Sequence, residues 1–166
     1  MKKLLLLLLL ACLPAFAQTG FKVEDKALIW QGVFSASNAD VSAIFDKDPN
    51  LKVSGFIDNM YKGMADDVQN TCDGGTVLMK NKMKFDFVIL TDPNGYVVKV
   101  RNLKIIEKFG PMQTRTVAKI AESYFVDGGN LKADNTSQSN MACLNNFFAG
   151  LFTPGPEKIG TSLTSN

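Results

Sequence analysis

The sequence predicts an α+β domain: an antiparallel sheet with a C-terminal amphipathic helix packed on one face. Three observations carry this. From Met79 to Ile89, Met79, Met83, Phe85, Phe87 and Ile89 alternate with Lys80, Lys82, Lys84 and Asp86, the period of a long half-buried strand. Asp92-Pro93-Asn94-Gly95 is a turn, and Tyr96, Val98 and Val100 resume the alternation beyond it. Over residues 136–152 the period becomes helical, with Met141, Leu144, Phe148, Leu151 and Phe152 on one stripe that Phe147 widens.

The chain begins with an address. Lys2 and Lys3 precede an unbroken leucine run, Leu4 to Leu10, and Ala15-Phe16-Ala17 precedes Gln18. A charged start, a short apolar run and a small-x-small site are the parts of a secretory signal peptide. The run is too short for a permanent span, which needs about 20 apolar residues. The expected organisation is a signal peptide over residues 1–17, one domain over 18–152 and a loose tail over 153–166, with export to the periplasm or cell envelope. Leu9-Leu10-Ala11-Cys12 also resembles a lipoprotein processing box, in which Cys12 would carry a lipid. The bulky Leu10 and the apolar Leu13-Pro14 speak against it, and cleavage after Ala17 accounts for every residue from 2 to 18. Membrane association is expected only if Cys12 is lipidated.

The elements follow in order. Phe21-Lys22-Val23, a polar Glu24-Asp25-Lys26 and the β-forming run Ala27 to Phe34 read as a strand pair or one bent strand. Ser37-Asn38-Ala39-Asp40 has the look of a helix start, with Val41, Ile44 and Phe45 at helical spacing and Asp48-Pro49 ending it. Residues 51–69 fit a helical stripe, but Gly55 and Gly63 each weaken a helix by about 1 kcal/mol and Leu51 to Ile57 fits a strand equally. Residues 69–75 are a polar loop. If Thr91 pairs with Tyr96, then Ile89 faces Val98, Phe87 faces Val100, and Asp86 meets Arg101 as a cross-strand charge pair. The apolar phase then slips to Leu103 and Ile105, which predicts a bulge near Arg101-Asn102. Val117 to Phe125 fits a helix or a strand, and Asp127-Gly128-Gly129-Asn130 breaks it.

Ala27-Leu28-Ile29-Trp30-Gln31-Gly32-Val33-Phe34, Tyr61-Lys62-Gly63 and Val100 to Ile106 together resemble a family of small secreted bacterial domains of unknown function with a TATA-binding-protein-like (TBP-like) fold. The resemblance spans residues 21–152. It implies a curved antiparallel sheet in the order β-α-β4-α, with helices on one face, and turns residues 51–57 towards a strand. It carries no catalytic residue and no DNA binding, because function belongs to sites rather than folds.

Composition narrows the chemistry. The chain has 18 Lys and Arg, 16 Asp and Glu, and no His. Loss of Lys2 and Lys3 with the leader balances the remaining charges. A nucleic-acid binder would show a basic footprint, so no nucleic-acid partner is expected. Without His there is no Ser-His-Asp or Cys-His site and no His-containing zinc set. No catalytic residue, metal set or cofactor is expected. Cys72 and Cys143 are an even pair that an oxidising compartment would let bridge, closing a long loop worth about 4 kcal/mol; two unpaired half-buried thiols are the alternative.

Four further features have a functional and a plain reading. Lys80, Lys82, Lys84, Lys99 and Arg101 would share a sheet face, as a patch for an anionic ligand or as a solvated face that deters edge pairing; the second is favoured. Val88, Leu90 and Val97 share that face, which invites cover by another element or a partner. Asp46-Lys47-Asp48-Pro49-Asn50 starts like a calcium loop but has Leu51 and Ile57 where Gly and Glu belong, so a turn is favoured. The aromatic and methionine residues line either a core or an apolar ligand pocket, core being favoured. Asp66, Asp67 and Asp73 near Cys72 could do acid–base work but are expected to point apart. The function read from all this is a non-enzymatic exported binding or interaction module of the cell envelope, for an envelope protein or an apolar or anionic ligand. The alternatives are a carboxylate-based hydrolase lacking His and a lipid-anchored surface protein.

Overall fold

Residues 20–35 form two strands rather than one bent strand. β1 (Gly20–Glu24) and β2 (Ala27–Ser35) pair antiparallel about Asp25-Lys26, whose φ angles are 50° and 67°. Two successive left-handed residues make the hairpin turn whose twist matches that of its strands. This computed structural model describes residues 19–35, 41–110, 112 and 114–154. The expected signal peptide, the candidate cap at Ser37 and residues 155–166 of the expected tail lie outside them.

A short helix, α1 (Ser42–Lys47), follows and ends at Asp48. Residues 51–69 are a hairpin and not a helix: β3 (Leu51–Ile57) and β4 (Met60–Gln69) turn on Asp58-Asn59, at φ 47° and 62°. Pairing of β4 with its neighbour in the sheet overrides the helical stripe. Gly63 explains itself there. A Cβ on it would run into the Phe87 ring and come within 2.5 Å of the Lys52 carbonyl oxygen. Gly32 lies likewise beneath the Trp30 ring. A strand glycine covered by an aromatic ring is a packing notch, and both notches fall in the segments that carry the family resemblance.

Residues 77–80 form a 3₁₀ turn, so the long strand starts at Lys82 and not at Met79, although Met79 is buried. β5 (Lys82–Asp92) and β6 (Gly95–Phe109) pair in the expected register, with Thr91 opposite Tyr96, Ile89 opposite Val98 and Phe87 opposite Val100. The expected bulge is present: the register shifts between Lys84 and Asp86, and Asn102 on β6 has φ 53°. Asp86 stands opposite Arg101, but its carboxylate takes a 2.6 Å hydrogen bond from Asn102 Nδ2, and no Asp86–Arg101 ion pair forms. The bulge swings Asn102 towards the carboxylate.

Residues 115–125 are strand and helix in turn: β7 (Arg115–Ile120), then α2 (Glu122–Phe125). A small hairpin, β8 (Val126–Asp127) and β9 (Asn130–Leu131), leads to α3 (Asn135–Phe152). Asp134 caps α3, accepting a 2.9 Å bond from the Ser137 N–H, and this holds its carboxyl below the usual range. Lys47 Nζ closes the far end, donating to the Gly150 and Thr153 carbonyls.

The sheet order is β1-β2-β6-β5-β4-β3, with β7 also on β6. β6 is long enough to pair β2 along Gly95–Val100 and β7 along Lys104–Phe109. Between those partners, Ala121 N–H donates to the Leu103 carbonyl at 2.8 Å, and the Glu122 carboxylate accepts from Leu28 N–H at 3.0 Å. This is the expected α+β class, with a strand pair in place of the single first strand and with β7 as an added strand. The inner face carries α3. Trp30 lies 5.2 Å from Phe148 and 6.1 Å from Phe152, Phe85 meets the same two rings, Phe87 meets Phe152, and Trp30 Nε1 donates to Asn145 at 2.9 Å. The space between sheet and helix is therefore core. Tyr96 is buried in it and its hydroxyl donates to the Phe152 carbonyl at 2.8 Å. The structure joins Cys72 and Cys143, Cα atoms 5.5 Å apart, in a disulfide between the loop before β5 and α3.

Three outcomes are expected of this packing. Cys72→Ser with Cys143→Ser should lower the unfolding free energy in urea by about 4 kcal/mol; a loss below about 1 kcal/mol would mean the bond does not close the loop. Gly63→Val should cost about 1–3 kcal/mol by overpacking, since a backbone oxygen cannot yield as a side chain can. Burial pushes the Tyr96 hydroxyl from 10.0 up to about 12. A raised folded-state value stabilises fully below the unfolded value and is lost as pH rises, so stability should fall between about pH 10 and 12. Tyr96→Phe should flatten that fall.

Candidate interaction surface

The sequence folds with every helix on one side of the sheet, and the outer face is left bare among the described residues. The alternation that buries Met83, Phe85, Phe87 and Ile89 turns Lys82, Lys84, Asp86, Val88 and Leu90 outwards. The registers then line up rows across the strands. One row is apolar throughout: Val33 on β2 faces Val97 on β6, Val97 faces Leu90 on β5, Leu90 faces Met60 on β4, and Met60 faces Ile57 on β3. Leu90 is 43% and Ile57 61% exposed. The row one step towards the strand middles holds Lys99, Val88 and Lys62, beginning at Gln31, which accepts a 3.1 Å bond from Lys22. On the other side lie the turns that carry Asp92 and Asp58.

Of the sequence-predicted basic residues, Lys82, Lys84, Lys99 and Arg101 share this face. Lys80 does not; it ends the 3₁₀ turn before the strand, because the strand starts at Lys82 and not at Met79. Lys84 is bound to Asp66 at 2.6 Å, and Lys82 lies 3.5 Å from Asp67. The Lys84 hydrogen bond holds the Asp66 carboxyl below its usual range and is returned as a raised Lys84 amine. Two of the five cations are thus neutralised locally. Lys62 was not legible as a member of this face, because residues 60–69 lay on a helical stripe and the strand alternative covered only Leu51 to Ile57. The apolar row was half legible, in Val88, Leu90 and Val97.

Other candidates close down. Asp66 and Asp67 serve as partners of lysines and form no facing acid pair. Asp48 accepts from the backbone and side-chain nitrogens of Asn50 at 2.9 and 3.0 Å, a turn rather than a cation loop. Among the described residues no three His, Cys, Asp or Glu side chains are placed to hold a metal ion. A cleft of about 620 Å³ opens at the bulge, where Lys84, Asp86, Asn102, Lys104 and Glu122 meet, and it mixes both charges. Another of about 570 Å³ lies beside the disulfide, lined by Lys47, Asp48, Asp73 and Asn146. Glu107, held below the usual range by a hydrogen bond from Tyr124 and by Lys119 at 3.0 Å, ties β6 and β7 to α2.

No protein-family model matches this chain, and no curated protein does. Two solved structures are similar to it. A TBP-like protein from Parabacteroides distasonis shares 15% identity with a TM-score of 0.49, over 79% of this chain and 94% of its own. A DUF4468 family protein from Bacteroides ovatus shares 10% identity with a TM-score of 0.41, over 80% and 83%. Both are bacterial proteins. At these identities and TM-scores no residue role passes from them to this chain.

The bareness of the face has a direct consequence for neighbouring residues. Leu90→Asp should change stability in urea by no more than about 0.5 kcal/mol, as an exposed substitution does. Ile89→Asp, at a position 0% exposed, should unfold the domain or cost several kcal/mol. Equal damage from both would mean that something covers the outer face.

Proposed function

We propose that this chain is an exported, non-catalytic interaction module of the bacterial cell envelope that works through the open outer face of its sheet. The observation that carries the reading is the apolar row Val33–Val97–Leu90–Met60–Ile57, unbroken across five strands and bordered by Lys62 and Lys99. An apolar strip rimmed by polar groups is what a docking surface presents. Export is supported by the leader pattern of residues 1–17 and by the Cys72–Cys143 bond, which suits an oxidising compartment. The lysines of the face supply orientation and encounter rate more than affinity.

The test uses the full chain expressed with its own leader. The recovered protein should begin at Gln18. A chain beginning at a lipidated Cys12 would move the reading to an anchored surface protein, and an uncleaved cytoplasmic chain would end the export proposal. Amine-reactive labelling in the intact envelope fraction should modify Lys62 and Lys99 several-fold more slowly than in dilute purified protein. Equal rates in both would end the interaction proposal.

A further inference from the structure

We infer that the occupant of the open sheet face is a second copy of this chain, stacked face to face about a two-fold axis that runs along the apolar row. The inference rests on the reading of that face as a docking surface and names its partner. Three placements argue for it. First, the row contains one outward residue from each of five adjacent strands, so at about 4.8 Å between strands it runs about 19 Å across the sheet. A rotation of 180° about that line returns the row onto itself, apolar against apolar, as an isologous contact requires.

Second, the flanks carry opposite charges. Lys99 and Lys62 lie two residues from Val97 and Met60 on one side. Asp92 and Asp58 lie two residues from Leu90 and Met60 on the other. The same rotation exchanges the sides. Lys62 of one copy then meets Asp58 beside the same strand of the other, and Lys99 meets Asp92 one strand away, within a lysine's reach. Third, neither Lys62 nor Asp58 has an ion-pair partner within the chain among the described residues, whereas Lys82 and Lys84 do, and Lys99 meets only the longer-range field of Glu24, which Lys22 already pairs. An anionic bilayer would meet Asp58 and Asp92 together with the lysines, and an anionic polymer would have no use for the apolar row. A copy of the chain uses all three features at once.

The face measures about 20 Å by 25 Å, smaller than the ~800 Å² per partner of a standard interface, so the dimer should be reversible in the micromolar range. Sedimentation velocity on the disulfide-bonded mature chain, from about 5 to 500 µM, should show a monomer–dimer equilibrium. Leu90→Asp should weaken it at least tenfold. Lys62→Glu and Asp58→Lys should each do the same, and mixing these two variants should restore dimers of one chain with the other, because each supplies the charge the other lacks. Far-UV circular dichroism and the Tm of each variant establish that it is folded. A chain that stays monomeric at 500 µM overturns the inference. So does a dimer indifferent to Leu90→Asp, which would lie on another surface, or a mixture of the charge variants that fails to pair. If the purified chain is monomeric while Lys62 and Lys99 remain protected in the envelope, a different partner holds the face: the second copy is then refuted and the interaction module stands. Monomer without protection refutes both.

Discussion

The fold depends on a single aromatic seam. Trp30, Phe85 and Phe87 rise from the inner face of the sheet, and Phe148 and Phe152 descend from α3 to meet them. Each ring brings a large apolar area, and rings packed tilted or edge-on add about 0.5–1.5 kcal/mol per pair beyond it. Everything else is arranged to let the seam close. Gly32 and Gly63 leave room beneath the Trp30 and Phe87 rings, Asp134 and Lys47 finish the two ends of α3, and the Cys72–Cys143 bond fastens its first half to the loop before β5. Since α3, the one long helix among the described residues, is committed to one face, the other is left without cover by any of them.

The second constraint is the length of β6. One strand serves two partners along one edge, β2 and then β7, and cannot stay straight while doing so. Two register shifts fall where the change is made, and a third lies between Val53 and Gly55 in the β3–β4 pair. Register shifts occur at Lys84/Asp86 and Ala65/Val68, and Asn102 and Asp67 adopt φ of 53° and 59°. Such positions cost energy in most residue types but are more accessible to Asn and Asp, whose short polar side chains bond locally. Asn102 does so with Asp86. The gap between β2 and β7 is then sealed by a side chain, Glu122, doing for Leu28 N–H what a neighbouring strand would have done.

Much of this was legible in the sequence where two independent patterns agreed. The β5–β6 register followed from both the apolar alternation and the turn at Asp92-Pro93-Asn94-Gly95, and the phase slip at Leu103 located the bulge. The C-terminal stripe gave α3 to within one residue at its start. The residues alone left 51–69 open, because Val53, Phe56, Met60 and Met64 fit a helical period while Leu51 to Ile57 fits a strand equally, and the resemblance turned only 51–57 towards a strand. What decided the matter was pairing of β4 with β5, which is not local. The basic face was partly legible for the same reason: residues on β5 and β6 were placed correctly, while Lys62 waited on β4 and Lys80 fell into a 3₁₀ turn that alternation imitates. The apolar row is the least legible feature of all. Its members are scattered over five strands and become neighbours only through four separate registers.

Trp30 has one more property. The chain contains a single tryptophan, and it sits at the joint between sheet and helix, 1% exposed, with its indole N–H bound to Asn145 of α3. Its fluorescence is therefore the signal of one contact rather than an average over the molecule. A blue-shifted emission means α3 is seated on the sheet, and a red shift means water has reached the indole. The protein carries its own optical gauge of helix docking, with no label to attach and no second indole to subtract.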